Sequence, residues 1–242
     1  MKEILKGAVT RYRLFRLAGI SESATQELVK NLALGENASI SCMPRSGEIQ
    51  VTVTVQDANT NLADKILEAI SVKVKERLRD YIFSCDDEVI EDLVGRLLNQ
   101  KGLTIALAES CTGGLIAVRL TNLPGSSTYF KGGVVAYSNE LKNKFLGVPV
   151  NILESFGAVS SETAVAMAAG IRSRAASDIG LSVTGIAGPG GNTPDKPLGL
   201  VYIALSAASG AFCGQYIFPG NRTGVRQGTA NVALNTVRRF LS

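Results

Sequence analysis

The run Glu109-Ser110-Cys111-Thr112-Gly113-Gly114 holds two hydroxyls and a thiol beside paired glycines, between a short apolar stretch (103–108) and a stretch of helical period (113–121). A turn from a buried strand into a helix projects a side chain from the end of the sheet. It also aims several backbone N–H groups at one point, a geometry suited to an oxyanion or a phosphate. Ser110 is the natural nucleophile. Cys111 is its rival, although its thiolate needs an activator and a small cysteine beside a sheet usually serves packing. The same residues admit a plainer reading, with Ser110 and Thr112 as helix caps and the glycines relieving crowding.

Three further stretches carry polar chemistry. In Gly132-Gly133-Val134-Val135-Ala136-Tyr137-Ser138-Asn139-Glu140-Leu141-Lys142, a strand end brings Tyr137 to the rim that bears Ser110, provided the two strands are neighbours. Lys142 lies on the helix that starts there. On pattern alone Lys142 and Lys144 are equally solvated lysines, and Tyr137 an interfacial aromatic. In Ser182-Val183-Thr184-Gly185-Ile186-Ala187-Gly188-Pro189-Gly190-Gly191-Asn192 a strand runs into a glycine-rich loop, as in phosphate cradles and in ordinary wide loops alike. Neither the P-loop nor the dinucleotide fingerprint is present. Finally, Phe218-Pro219-Gly220-Asn221-Arg222, with Arg226, sets two guanidinium groups near the start of the last helix. Arg222 can clamp a phosphate bidentately or form a surface ion pair.

An absence narrows the chemistry. The 242 residues include no histidine, which excludes a serine-histidine-acid triad, a cysteine-histidine dyad and a histidine-held metal within one chain. A general base must then be a carboxylate, a lysine, a tyrosine or an amine terminus. Cys42, Cys85, Cys111 and Cys213 form no CxxC pair, so neither zinc nor a disulfide framework is indicated, and reduced, mostly buried thiols are expected. The opening Met1-Lys2-Glu3-Ile4-Leu5-Lys6 has no apolar run of secretory length, and no later stretch reaches the ~20 apolar residues of a membrane span. A cytoplasmic protein without membrane contact is expected. The net charge of +4 is uneven: residues 1–87 carry 12 basic and 12 acidic side chains, residues 88–242 carry 13 and 9. That suits a small anionic substrate better than a nucleic acid, which calls for a strongly basic face.

Two domains must position these residues. In the first, 11–16 alternates as a half-buried strand, 24–34 follows Ser21 or Ser23 as a helix, and 38–43 and 49–55 form a hairpin around Pro44-Arg45-Ser46-Gly47. Leu62, Ile66, Ile70, Val74 and Leu78 recur at helical spacing over 61–79. A short acidic step at Asp86-Asp87 closes this small α+β domain, 1–87. From 88 to 242 strands (103–108, 133–137, 179–184, 199–206, 211–218) alternate with helices (89–100, 113–121, 139–146, 160–176, 223–241). This alternation predicts a mixed sheet sandwiched between helices, a three-layer α/β/α domain.

Taken together and in order, Glu109 to Gly114, Tyr137-Ser138-Asn139, Gly185-Ile186-Ala187-Gly188-Pro189 and Phe218-Pro219-Gly220-Asn221-Arg222 resemble the C-terminal domain of CinA proteins, found alone as nicotinamide-nucleotide amidase. Residues 1–87 resemble the KH-like domain that precedes it in full-length members, especially at Tyr81-Ile82-Phe83. The resemblance implies Ser110 as nucleophile, Lys142 as base and Tyr137 as a supporting hydroxyl. It implies substrate contacts at Thr112, Gly113, Gly114, Gly185, Ala187, Gly188 and Arg222. The implied reaction is hydrolysis of the carboxamide of nicotinamide mononucleotide to nicotinic acid mononucleotide and ammonia, with neither metal nor cofactor, in a homodimer.

Three departures from the family pattern stand out. Ser84 replaces the usual glycine, Asn221 replaces a common Asp before the arginine, and the sequence shows no counterpart of the nucleotide-pyrophosphatase domain of full-length members. ADP-ribose hydrolysis is accordingly not expected. The missing histidine and the resemblance agree on a serine-lysine pair. Free lysine titrates near ~10.4, so a base at neutral pH needs its pKa lowered by desolvation and neighbouring positive charge, and Lys142 is expected to be buried at the cleft. The competing class is a non-catalytic scaffold for competence or damage functions, or a nucleic-acid-binding protein. Against the latter, residues 1–87 carry no GxxG and no net charge.

Overall fold

The computed structural model describes residues 9–32, 35–45, 47–85 and 88–242, which divide into two units, Met1–Val89 and Ile90–Ser242. In the first, β1 (Val9–Leu17), β2 (Ala38–Arg45), β3 (Glu48–Asp57) and β4 (Ile82–Ser84) form an antiparallel sheet in the order β2-β3-β1-β4. Alternation turns Phe15, Leu17, Val51, Val53 and Val55 to one face, where α1 (Glu22–Val29) and α2 (Thr60–Leu78) add Val29, Leu67, Ile70, Val74 and Leu78. Ser21 and Asn59 cap the two helices through their side-chain oxygens.

Two expectations shift here. The first helix ends at Val29, short of the expected 34, and residues 33 and 34 lie outside the described residues. Pro44 and Arg45, expected in the turn, still pair with Ile49 and Glu48. A proline is tolerated there because β2 is an edge strand. Ser46 of that turn, and Asp86-Asp87, lie outside the described residues.

The second unit runs α3 (Ile90–Lys101), β5 (Ile105–Glu109), α4 (Leu115–Thr121), β6 (Phe130–Val135), α5 (Asn139–Leu146), α6 (Val150–Phe156), α7 (Ser161–Arg174), β7 (Ile179–Gly185), β8 (Leu200–Ala207), β9 (Gly210–Ile217) and α8 (Arg222–Leu241). Its sheet has the order β6-β5-β7-β8-β9, with β5 parallel to β6 and β7, and β8 and β9 antiparallel. It is the mixed sheet between helices that the strand-helix alternation predicts. The helix α6 was not anticipated; seven residues with only Leu153 buried are too few to display a helical period.

Period-2 alternation assigns the faces. Ala106 and Ala108 of β5 pack with Leu146, Met167 and Ile171 of α5 and α7, and Ser182 of β7 donates to the Ala164 carbonyl of α7 at 2.6 Å. The odd-numbered residues of both strands face the other layer, where α3, α4 and α8 pack on one another. Gly170 makes the α5–α7 approach possible, since a Cβ there would lie 1.8 Å from the Leu146 carbonyl oxygen.

After β5 the chain moves to β6 on one side, then returns to β7 on the other. The carboxyl end of β5 is therefore a topological switch point, the place where a parallel α/β sheet opens a crevice.

Candidate active site

Ser110 follows the last residue of β5, at that switch point. Alternation sends Glu109 toward the α4 layer and Ser110 toward the α5 layer. Across the crevice, Ser138 caps α5 by accepting from the Leu141 amide. One turn on, Lys142 lies above Leu146 on the inward face and is only 1% exposed. Its Nζ donates to Ser110 Oγ at 3.1 Å and to the Ala136 carbonyl at 2.8 Å. Burial pulls the Lys142 ammonium from 10.5 down to about 8. Lys144, its equal on pattern, is exposed.

Cys111 is buried, and burial pushes its thiol up to about 12, so the thiol stays protonated at neutral pH. Of the four free thiols Cys111 alone is buried; Cys42, Cys85 and Cys213 are half-buried, so the expected mostly buried set is corrected. They lie on partly covered strand positions or just past one.

The turn itself departs from expectation. The amides of Gly114, Ile116 and Ala117 do not wait for a ligand: they donate to the Glu109 carboxylate at 3.0, 3.2 and 2.8 Å. Gly113 N–H closes onto the Ser110 carbonyl and Leu115 N–H onto the Thr112 carbonyl. The amides of Cys111 and Thr112 reach no backbone oxygen among the described residues; both turn toward the Cys111 sulfur, a weak acceptor. Gly113 and Gly114 take φ of +60° and +92°, which lets the chain fold back so tightly. Arg226 braces the turn, giving two N–H groups to the Thr112 carbonyl at 3.1 and 2.7 Å. Thr112 Oγ1 is buried without a hydrogen-bond partner.

Tyr137 and Arg222 meet each other rather than Ser110. Arg222 donates to the Tyr137 hydroxyl at 2.7 Å and to the Gly188 carbonyl at 2.9 Å, and Tyr137 is 55% exposed. No hydrogen bond links the Tyr137 hydroxyl to Ser110 or Lys142. Asn221 caps α8 by accepting from the Gly224 amide at 2.9 Å, the role a short carboxylate would also fill, and so still delivers Arg222. Gly185 owes its size to packing, because a Cβ would sit 2.6 Å from the Leu200 carbonyl oxygen; Ala187 is buried just beyond it.

Charge at this end of the sheet is lopsided. Among the described residues, Lys142, Arg222 and Arg226 donate to neutral oxygens only, while Glu109 is spent on helix amides. The sequence reading did not foresee Glu109 as a cap of α4. A carboxylate just before a helix is the signal that could have found it.

Fold and cluster together define a small antiparallel α+β unit and a three-layer α/β/α domain whose polar residues gather at the switch point. The chain belongs to the CinA family: residues 87–241 match the CinA C-terminal domain and residues 12–84 the damage-inducible protein CinA KH domain. It is 48% identical over 237 residues to a putative competence-damage inducible protein of Desulforudis audaxviator, covering 98% of this chain and 57% of the relative. A protein of the same name from Desulforamulus reducens is 49% identical over 236 residues, with the same coverage. The chain thus spans a little over half the length of these curated relatives. Among solved structures, the competence/damage inducible protein CihA from Agrobacterium tumefaciens is 42% identical with a TM-score of 0.58, covering 61% of this chain and 92% of that one. A competence or damage-inducible protein from Enterobacter asburiae is 31% identical with a TM-score of 0.62, covering 64% and 100%. No helix of the described residues is long and apolar enough to cross a membrane.

Proposed function

We propose that this chain is an amidohydrolase that converts nicotinamide mononucleotide to nicotinic acid mononucleotide and ammonia. The observation that carries the reading is the buried Lys142 Nζ, 3.1 Å from Ser110 Oγ. In the neutral form Lys142 keeps an N–H on the Ala136 carbonyl and turns its lone pair to the Ser110 hydroxyl, which reverses the direction of that hydrogen bond. Ser110 Oγ attacks the carboxamide carbon as its proton passes to Lys142. The Cys111 and Thr112 amides receive the developing oxyanion. Lys142 returns the proton to the leaving nitrogen and ammonia departs. Water, deprotonated by Lys142, then opens the acyl-serine to give the carboxylate and restore Ser110.

The unneutralised Arg222 and Arg226 favour a substrate bearing phosphate. Tyr137 enters this scheme through Arg222, as a binding residue and not as a partner of the serine. A homodimer, with no nucleic-acid partner, belongs to the same proposal; the edge strand β6, with Val135 46% exposed, and the neighbouring helix α4, with Val118 54% exposed, support it. Incubation with nicotinamide mononucleotide, read as ammonia released, tests the function. Release that Ser110→Ala abolishes supports it; no release from the intact chain refutes it and favours the non-catalytic role that fits the relatives' names.

A further inference from the structure

Glu109, the residue before the candidate nucleophile, is almost fully buried, 2% exposed, and its carboxylate takes the amide of Gly114, the N-cap of α4, and two amides from the first turn, those of Ile116 and Ala117. We propose that Glu109 is a positioning residue: an internal anion that fills the α4 N-terminus and so holds the Ser110 turn with the Cys111 and Thr112 amides facing only the weak Cys111 sulfur, an acceptor that an oxyanion outcompetes. The proposal rests on Ser110 being the nucleophile.

The geometry separates two sets of amides. A helix N-terminus offers its free N–H groups and the positive end of its dipole to any anion in reach. Here Oε1 holds Ala117 N–H, and Oε2 holds both Gly114 and Ile116 N–H. A turn with two positive-φ glycines in succession has little stiffness of its own. Glu109 ties its far end back to the strand from which Ser110 emerges, while Arg226 holds the Thr112 carbonyl in the middle. Between these anchors the peptide N–H groups of Cys111 and Thr112 are fixed in direction. Oxyanion donors act only when they are preorganised in this way.

The role requires a carboxylate. Glutamine presents one oxygen and an NH2 group, so at least one of the three amides would face a donor. Alanine leaves all three empty. Aspartate keeps the charge but reaches one methylene less far.

The test measures the rate at which a fluorophosphonate modifies Ser110 in the full chain, a readout that needs no knowledge of the natural amide. Wild type is compared with Glu109→Asp, Glu109→Gln and Glu109→Ala, each first checked for a native melt. The expected order is wild type, Asp, Gln, Ala, with Gln down about tenfold or more and Ala down about a hundredfold. Added formate should raise the Ala rate severalfold and leave wild type unchanged. With nicotinamide mononucleotide the loss should fall on kcat, with KM nearly constant. Wild-type labelling rates in a folded Gln or Ala variant would overturn the proposal. So would failure of all three variants to fold, since Glu109 would then serve stability. A wild type whose Ser110 resists the probe would instead count against the nucleophile assignment itself.

Discussion

Raising the pH titrates Lys142, and its titration distinguishes a base from a buried binding lysine. Burial lowers its pKa from 10.5 to about 8; at ~1.36 kcal/mol per pKa unit, the charged form is penalised by about 3 kcal/mol. The unfolded chain holds this proton up to 10.5 and the native chain only to about 8, so between them the unfolded state binds more protons and stability rises with pH. Below about 8 both states are protonated and the penalty is present in full. Wild type should therefore gain about 3 kcal/mol of stability relative to Lys142→Met from neutral pH to about 10.5, measured by urea unfolding at several pH values. The same proton should govern catalysis. Ammonia release should climb with pH, half-maximal near about 8, then level off. Lys142→Arg, charged throughout, should be about a thousandfold slower at every pH. A flat pH–rate profile, or an active Lys142→Arg enzyme, would refute Lys142 as the base.

Ser110→Ala should abolish turnover with an unchanged melt, whereas Cys111→Ala, which removes a thiol held up at about 12, should stay active; ammonia assays on both decide between them. Gly170→Ala should destabilise by about 3 kcal/mol in urea unfolding, because its Cβ would be forced against the Leu146 carbonyl oxygen, 1.8 Å away, on the helix that carries Lys142. Residues 88–242 alone should fold and release ammonia, a result that circular dichroism and the assay check together. Turnover should survive exhaustive chelation; a loss restored by a divalent ion would contradict the serine-lysine scheme.

Strand-helix alternation is a local signal, and the three-layer domain was legible from it because the central strand β5 is an apolar run over 105–108 and β7 alternates Ile179, Leu181 and Val183 with small residues. The helix α5 was legible to the residue, 139–146, since Ser138 caps it and Gly147 ends it in the left-handed region. Boundaries that depend on pairing were not: Pro44 reads as a turn until an edge strand accepts it. At the site, Lys142 could not be told from Lys144 by pattern, because which face of an eight-residue helix turns inward depends on α7 packing against it. Glu109 was missed as a helix-capping anion for a related reason. Its three donors lie five to eight residues ahead, brought back only by the positive-φ pair Gly113-Gly114. Tyr137 was placed at the correct rim, but its partner Arg222 is 85 residues away, a juxtaposition that only the β9–α8 return creates.

The absence of histidine has an energetic consequence for the whole C-terminal unit. An imidazole titrates near neutrality without help, whereas a lysine must be buried to do so, and burial of Lys142 costs about 3 kcal/mol at neutral pH. The unit offsets this with the apolar wall around α5. Leu146, Val148 and Met167 are at most 1% exposed, and each such side chain contributes roughly 1.5–3 kcal/mol when fully buried. Two of them suffice. The wall and the lysine are thus one device: a cavity in it that admitted water would return Lys142 toward 10.5, lowering activity at neutral pH while relieving the charged form. Met167→Ala, buried in the same cluster, should move the midpoint of the pH–rate profile upward from about 8. An unmoved midpoint in a folded Met167→Ala enzyme would show that Ala136 and the local backbone set the proton affinity of Lys142, and not the apolar wall.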